Sequence, residues 1–81
     1  MEKIDRIMQE IVDKCKAYGF TYEETRVIWI MTGSEDAVQR YGDDTTSYQR
    51  TLEILSQHRT FEEVVTEIEK GLGINYDTPG E

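Results

Sequence analysis

The stretch TYEETRVIWIMTG, residues 21–33, decides the fold class of this chain. Its five consecutive apolar residues, Val27 to Met31, include β-branched and aromatic side chains that favour a strand by propensity alone. A strand needs a pairing partner, however, and the other β-like segments, 20–22 and 74–76, are short and interrupted. Thr21 and Glu24 have the spacing of a capping box, which marks the start of a helix. We therefore predict a helix over 22–32 that is central to the fold and buried on most sides.

The N-terminal segment has the apolar spacing of one helical face. Apolar residues recur there at intervals of three and four, with charged residues between them. Gly19 follows the last of them, at a position where a left-handed helix cap needs no side chain. The apolar positions of this first predicted helix are Ile4, Ile7, Met8, Ile11, Val12, Cys15 and Tyr18.

Three more helices are predicted further along the chain. Residues 34–42 form a short third helix that begins at a serine and ends at a glycine. Thr46 and Gln49 have capping-box spacing and are expected to open a fourth helix. Thr60 and Glu63 repeat this spacing before a fifth helix, whose apolar face comprises Phe61, Val64, Val65, Ile68 and Leu72.

These elements predict an all-α fold, a compact bundle of four to five short helices. A chain of 81 residues has room for one domain with a limited core. We place that domain at residues 1–73. Residues 74–81, which include Pro79 and Gly80, are expected to form a flexible C-terminal tail.

Acidic residues outnumber basic ones, mostly in the second half of the chain. The net charge is −8, of which residues 1–40 contribute −2 and residues 41–81 contribute −6. Binding to DNA or RNA depends on lysine and arginine replacing the counterions around phosphates, so direct nucleic-acid binding is disfavoured, as is binding to anionic membranes. We expect the partner to be a basic surface of another protein. The alternative is that the charge only keeps a small protein soluble.

Several features of the sequence predict a cytoplasmic location. No apolar run approaches the ~18 residues of a membrane-spanning helix. The N-terminal residues 1–5 have no apolar stretch after their charges, as a secretory signal would have. A single cysteine, Cys15, cannot form an internal disulfide.

Few residues could carry catalysis. His58 is the only histidine, and Cys15 shares an apolar helix face, which is unfavourable for a reactive thiolate. The acidic pair 43–44 lies in a predicted loop but lacks the spacing of an EF-hand calcium loop. Phosphate-binding glycine loops, nucleophile elbows and zinc-protease motifs are all missing from the sequence. We therefore predict a protein that is not an enzyme and has no catalytic residue, cofactor or metal; an enzyme would require His58 and an acidic group to converge in one pocket.

Two groups of residues are predicted to contact a partner. Tyr41 and Tyr48 flank the acidic pair 43–44, so aromatic contact and negative charge would meet there. On the fifth helix, carboxylates lie away from the apolar face, and Glu63 and Glu67 stand about 6 Å apart as neighbours. The alternative for this ridge is a solvated helix face without a partner. The predicted partner-binding residues are Tyr41, Asp43, Asp44, Tyr48, Glu62, Glu63 and Glu67.

The leading hypothesis is a non-enzymatic interaction module or inhibitor that binds another protein. The alternative is a nucleic-acid mimic of the kind carried by phages and mobile elements, which would inhibit a host DNA-binding or defence protein of a restriction or CRISPR system. A mimic should lose its partner steeply as ionic strength rises, whereas a binder with a hydrophobic patch should not. A homodimer also stays open, because five tyrosines and one tryptophan exceed what so small a core readily covers.

Short segments of the chain resemble a known interaction domain. Residues 17–20 (Ala-Tyr-Gly-Phe), the acidic pair 23–24 and residues 37–41 (Ala-Val-Gln-Arg-Tyr) are similar to parts of the ubiquitin-associated three-helix domain. That resemblance implies that Gly19 and Phe20 lie in a loop that touches ubiquitin. The match covers fewer than a third of the residues and leaves two predicted helices unaccounted for, so we assign no family.

Overall fold

Five α-helices occupy residues 2–73, the part of the chain that the computed structural model describes. No strand occurs in that range, which confirms the predicted all-α bundle and excludes the strand interpretation of residues 27–31. No helix within residues 2–73 combines the length and apolar content that crossing a membrane requires. The predicted tail, 74–81, lies outside the described residues. The helices are α1 (Lys3–Ala17), α2 (Tyr22–Thr32), α3 (Glu35–Tyr41), α4 (Asp44–Gln57) and α5 (Phe61–Leu72).

Local signals in the sequence determine where α1 ends and α2 begins. Gly19 adopts a φ of 79°, which allows the Phe20 amide to donate to the Cys15 carbonyl over 3.0 Å. This backbone reversal is a Schellman motif, in which glycine carries no steric cost. Two residues later the Thr21 hydroxyl accepts from the Glu24 amide at 3.0 Å, and the Glu24 carboxylate accepts from the Thr21 amide at 2.9 Å. The predicted glycine cap and the predicted capping box are both confirmed.

The start of α4 differs from the prediction. The N-cap is Asp43, whose carboxylate accepts from the Thr46 amide at 2.7 Å, rather than Thr46 itself. A carboxylate at this position makes a charge-assisted hydrogen bond and also faces the positive end of the helix dipole. Only Gly42 and Asp43 therefore separate α3 from α4, and the acidic pair 43–44, which was predicted in a loop, caps and begins α4 instead.

The central element is α4, not α2. Contacts between α1 and α4 form the most extensive helix pairing, and α4 also packs against α2, α3 and α5. From α1, the side chains of Ile7, Ile11 and Cys15 fill this interface. Val64 and Ile68 of α5 complete the core from the other side. The buried residues of α4 are Ser47, Tyr48, Thr51, Leu52, Ile54 and Leu55.

The prediction that helix 22–32 is buried on most sides is wrong, although its bounds are correct. Ile28 and Thr32 are buried, whereas Val27 is 41% exposed and Ile30 is 58% exposed. Five consecutive residues at 100° each are spread around the whole circumference of a helix. The bundle supplies its main neighbours, α4 and α5, on one side of α2, so part of the apolar run faces solvent.

Three small polar residues fill the contact between α2 and α4. The Ser47 hydroxyl donates to the Thr32 carbonyl at 2.5 Å, and the Thr32 hydroxyl donates to the Ile28 carbonyl at 2.7 Å. The Thr32 and Thr51 hydroxyl oxygens lie 2.8 Å apart. Because the single Thr32 proton is used on Ile28, Thr51 is the donor of this pair. Every hydroxyl in the contact is hydrogen-bonded, which fixes the side of α2 that faces the core.

Candidate functional site

The outer face of α2, which we define as Tyr22, Val27 and Ile30, carries all three of the large exposed apolar side chains found in residues 2–73. Tyr22 is 78% exposed, near the start of the helix. On a helical projection Ile30 points almost directly away from Ile28 and Thr32, the two buried positions. This exposed face was not predicted from the sequence. The signal was present, because five consecutive apolar residues point in all directions around a helix and cannot all face the same side.

A groove of about 410 Å³ lies along this face, between α2 and α5. Its surface is mostly apolar, and the side chains from α2 and α5 form its two walls. Asp36, in the first turn of α3, also lines it. We call it the α2–α5 groove; its lining residues are Val27, Ile30, Met31, Ser34, Asp36, Val65, Glu69 and Leu72.

A second groove, of about 260 Å³, borders α5 on the side of the α4 C-terminus. Here the structure brings together the three glutamates that the sequence singled out on the fifth helix. Two of them lie near basic side chains: Glu67 is 3.4 Å from the Lys70 ammonium, and Glu63 is 3.7 Å from Nδ1 of His58. We call this the acidic groove; it is lined by His58, Glu62, Glu63, Thr66 and Glu67.

His58 and Glu63 converge in one groove, which is the condition that the sequence analysis set for an enzyme. Their separation of 3.7 Å exceeds hydrogen-bond length, and the Glu63 side chain is largely exposed to water. The pair is an ion pair only when His58 is protonated. Within residues 2–73, no group of three His, Cys, Asp or Glu side chains could hold a metal ion. What this arrangement offers chemically is a carboxylate-lined surface beside one imidazole.

Cys15 lies in the core, far from the surface features described above. Its side chain is fully buried between α1 and its neighbours, as the sequence predicted for a structural thiol. Burial raises the pKa of the thiol above its ordinary value, and this outweighs a hydrogen bond with Thr25 that lowers it. A thiol in this environment stays protonated and inert near neutral pH.

The patch predicted around Tyr41 and Tyr48 has a different geometry from the one expected. Tyr48 is only 8% exposed, and its ring packs on Trp29 with centroids 5.2 Å apart. Burial, with a smaller contribution from the charge of Asp44, raises the pKa of the Tyr48 hydroxyl. The Tyr41 hydroxyl lies over Gly71 of α5, where an added Cβ would stand 2.5 Å from it. Tyr48 thus packs in the core, and Tyr41 lies half-buried over α5.

The two acids of that patch have unequal roles. Asp43 caps α4, and the hydrogen bond from the Thr46 amide lowers the pKa of its carboxyl. Asp44 is exposed in the first helical turn. Asp44 is therefore the one member of this group that is exposed without a capping role.

The seven predicted partner-binding residues do not form one surface. Asp44 begins α4 and Gln57 ends it, which separates the two by about 20 Å of helix. The acidic groove starts beyond Gln57, at His58. The predicted residues therefore lie in two separate places. Glu62, Glu63 and Glu67 cluster in the acidic groove, whereas the other four lie where α3 meets α4, at the opposite end of α4.

Phe20 also lies in the bundle rather than protruding from it. Its ring makes edge-on contacts with Tyr18 and Phe61, at centroid distances of 5.8 and 6.0 Å. It therefore packs against the core, unlike the exposed contact that the resemblance to a ubiquitin-associated domain implied. No protein-family model matches the chain, and no curated protein or solved structure matches it significantly. The fold and its surfaces define a small acidic helical bundle with one apolar face left open.

Proposed function

We propose that this protein is a non-enzymatic interaction module or inhibitor that binds a partner protein through the outer face of α2. The observation that carries the proposal is the exposure of Ile30, 58%, beside the α2–α5 groove. Fully burying an isoleucine side chain contributes about 1.5–3 kcal/mol, so a partner that covers Ile30 and Val27 would recover a sizeable free energy. Contiguous apolar surface on a small domain is typical of interaction sites.

Charge favours a basic partner. The chain carries a net charge of −8, and the acidic groove adjoins the same helix, α5, that forms one wall of the α2–α5 groove. A basic protein surface would be attracted at long range, while nucleic acid and anionic membranes would be repelled. The buried thiol of Cys15, the only cysteine, suits a reducing compartment, so we place the interaction in the cytoplasm.

Apolar binding is a better account of this surface than nucleic-acid mimicry. A mimic needs a continuous row of carboxylates, yet the two acidic groups predicted from the sequence lie at opposite ends of α4. Beside the acidic groove, the Lys70 ammonium also offsets part of the charge of Glu67. The exposed apolar side chains have no purpose in a surface that imitates phosphates.

Site-specific photo-crosslinking in the cells that naturally express the protein tests the proposal. A photoreactive residue at position 30 should form an adduct with a discrete basic protein, and irradiation of a cell lysate at high salt should give the same adduct in similar yield. The same probe at Glu10, which is exposed on α1 and lines neither groove, is the matched control. Equal adducts from both positions, or none from position 30, would contradict the proposal. An adduct whose yield falls steeply as the salt concentration during irradiation rises would support the mimic instead.

A further inference from the structure

We infer that the α2–α5 groove receives one amphipathic α-helix of the partner, with leucine-like residues on its inner face and lysine or arginine beside them. This inference rests on the proposed function and deepens it by stating the chemistry of the partner. It is argued from the spacing, the side-chain types and the charges of the residues that line the groove.

The groove presents apolar side chains at helical spacing on both walls. On the α2 wall, Ile30 and Met31 follow Val27 after three and four residues, and Ser34, the N-cap of α3, extends this wall with a polar side chain. On the other wall, Val65 and Leu72 are seven residues apart. Seven residues of helix extend about 10 Å, so the α5 wall is two turns long. A helix laid along such a groove inserts side chains at positions i, i+3 or i+4, and i+7.

Two other ways of binding a peptide do not suit this surface. Addition of a strand requires an exposed sheet edge, and residues 2–73 contain no strand. Polyproline segments dock into grooves lined by aromatic rings, whereas none of the residues that line the α2–α5 groove is aromatic. Of these three modes, insertion of a helix is the one that the groove can accommodate.

The charges in the groove indicate which charged residues the bound helix should carry. Its only ionisable lining residues are Asp36 and Glu69, and both are acidic. Neither belongs to an ion pair within the described part of the chain. Lysine or arginine on the flanks of an incoming helix would pair with them. A second copy of this chain is a poorer occupant, because it would bring another net charge of −8 to an acidic site.

Two synthetic 20-residue peptides test the inference by fluorescence anisotropy. One has leucines at positions i, i+3 and i+7 with lysines beside them; the other has the same composition in scrambled order. Because both carry equal charge, any difference in affinity measures the apolar face. The amphipathic peptide should bind the intact protein at least about tenfold more tightly than the scrambled one.

Two serine variants of the protein locate the binding site. I30S should weaken binding of the amphipathic peptide by about tenfold or more. Q9S is the control, because Gln9 is a neutral, exposed residue of α1 that lines neither the α2–α5 groove nor the acidic groove. It should change the affinity by less than about twofold. Circular dichroism spectra should show that both variants keep their helices.

Two double variants with the same change in charge test the role of the acids. D36N/E69Q should weaken binding several-fold and reduce its dependence on salt, because it removes the acids of the groove. E62Q/E63Q, in the acidic groove, should have a clearly smaller effect. Equal effects of the two double variants would overturn the inference, since they would indicate attraction by overall charge alone.

Other outcomes separate the inference from the proposed function. Equal binding of the two peptides would overturn the inference, as would an Ile30-dependent dimer in light scattering. If position 30 crosslinks to a partner segment that is not helical, the inference is wrong but the proposed function still holds. If the amphipathic peptide binds as expected but no cellular partner crosslinks at position 30, the groove chemistry is supported and the proposed function fails.

Discussion

Ile28 and Ile30 are two residues apart on α2, yet Ile28 is completely buried and Ile30 is 58% exposed. The same type of side chain thus packs in the core at one position and faces solvent at the other. Ile28 packs in the cluster that joins α1, α4 and α5, whereas Ile30 borders the α2–α5 groove. Variants of these two isoleucines can therefore distinguish an effect on folding stability from an effect on partner binding.

Truncation of these isoleucines should have very different effects on folding. Ile28→Ala should lower the free energy of unfolding by about 2–5 kcal/mol, because it removes buried methyl groups and leaves a cavity. Ile30→Ala should change it by less than about 0.5 kcal/mol. Urea unfolding followed by circular dichroism measures both. Similar losses for the two variants would show that the outer face of α2 is not a free surface.

The hydroxyl of Ser47 should matter more than that of an exposed serine. Ser47→Ala deprives the Thr32 carbonyl, at the end of α2, of a buried donor, and should cost about 1–3 kcal/mol of unfolding free energy. Ser56→Ala is the control, because the Ser56 hydroxyl donates to the Leu52 carbonyl within its own helix at an exposed site. Equal effects in chemical denaturation would mean that the contact between α2 and α4 does not depend on this hydrogen bond.

Asp43 should make stability depend on pH in the acid range. Its carboxyl has a pKa below the ordinary value of 3.8 because the Thr46 amide donates to it in the folded chain. The unfolded chain therefore takes up this proton first as pH falls, and the contribution of Asp43 is lost as pH falls through its folded pKa.

The variant Asp43→Asn keeps an oxygen that can cap α4 but does not titrate. Between about pH 5 and pH 2, the natural chain should lose more stability than this variant. Denaturation curves recorded across that range test the difference. Parallel losses in the two chains would argue against a capping carboxylate at position 43.

The contact between Tyr41 and Gly71 should appear as coupling in a double-mutant cycle. Gly71→Ala places a methyl group 2.5 Å from the Tyr41 hydroxyl oxygen, and once that oxygen is removed the nearest ring atom is 3.9 Å away. In a Tyr41→Phe background, Gly71→Ala should stabilise α5 by up to about 1 kcal/mol through helix propensity.

In the natural background the same substitution should be neutral or destabilising, because Tyr41 must move. The difference between the two backgrounds should reach about 0.5 kcal/mol or more in thermal or urea unfolding. Identical effects in both backgrounds would show that Tyr41 does not pack on α5 and is available as a surface residue.

The helices were largely predictable because their signals are local. Apolar residues at intervals of three and four predicted α1, and the Thr21–Glu24 capping box predicted the start of α2. The start of α4 was missed because Asp43 and Thr46 are both good caps, and the choice depends on the electrostatic strength of each hydrogen bond. The burial of α2 was misjudged because the sequence of one helix does not say how many neighbours will surround it.

The candidate site was only partly predictable. Glu62, Glu63 and Glu67 cluster as expected because one helix positions all three. Tyr41 and Tyr48 were predicted in a partner-binding patch because tyrosine is enriched in such patches, but Tyr48 is buried beside Trp29 and Tyr41 lies half-buried over Gly71. Such contacts join residues distant in sequence, and no local pattern reports them.

The central claim is that the protein acts through the outer face of α2. The most direct test is to map the changes in amide chemical shifts as the partner or the amphipathic peptide is added. The account predicts that the largest changes in the ¹H–¹⁵N spectrum fall at Val27, Ile30, Val65 and Leu72, with little change in the acidic groove. Changes centred on Glu62, Glu63 and Glu67, with α2 unaffected, would contradict it.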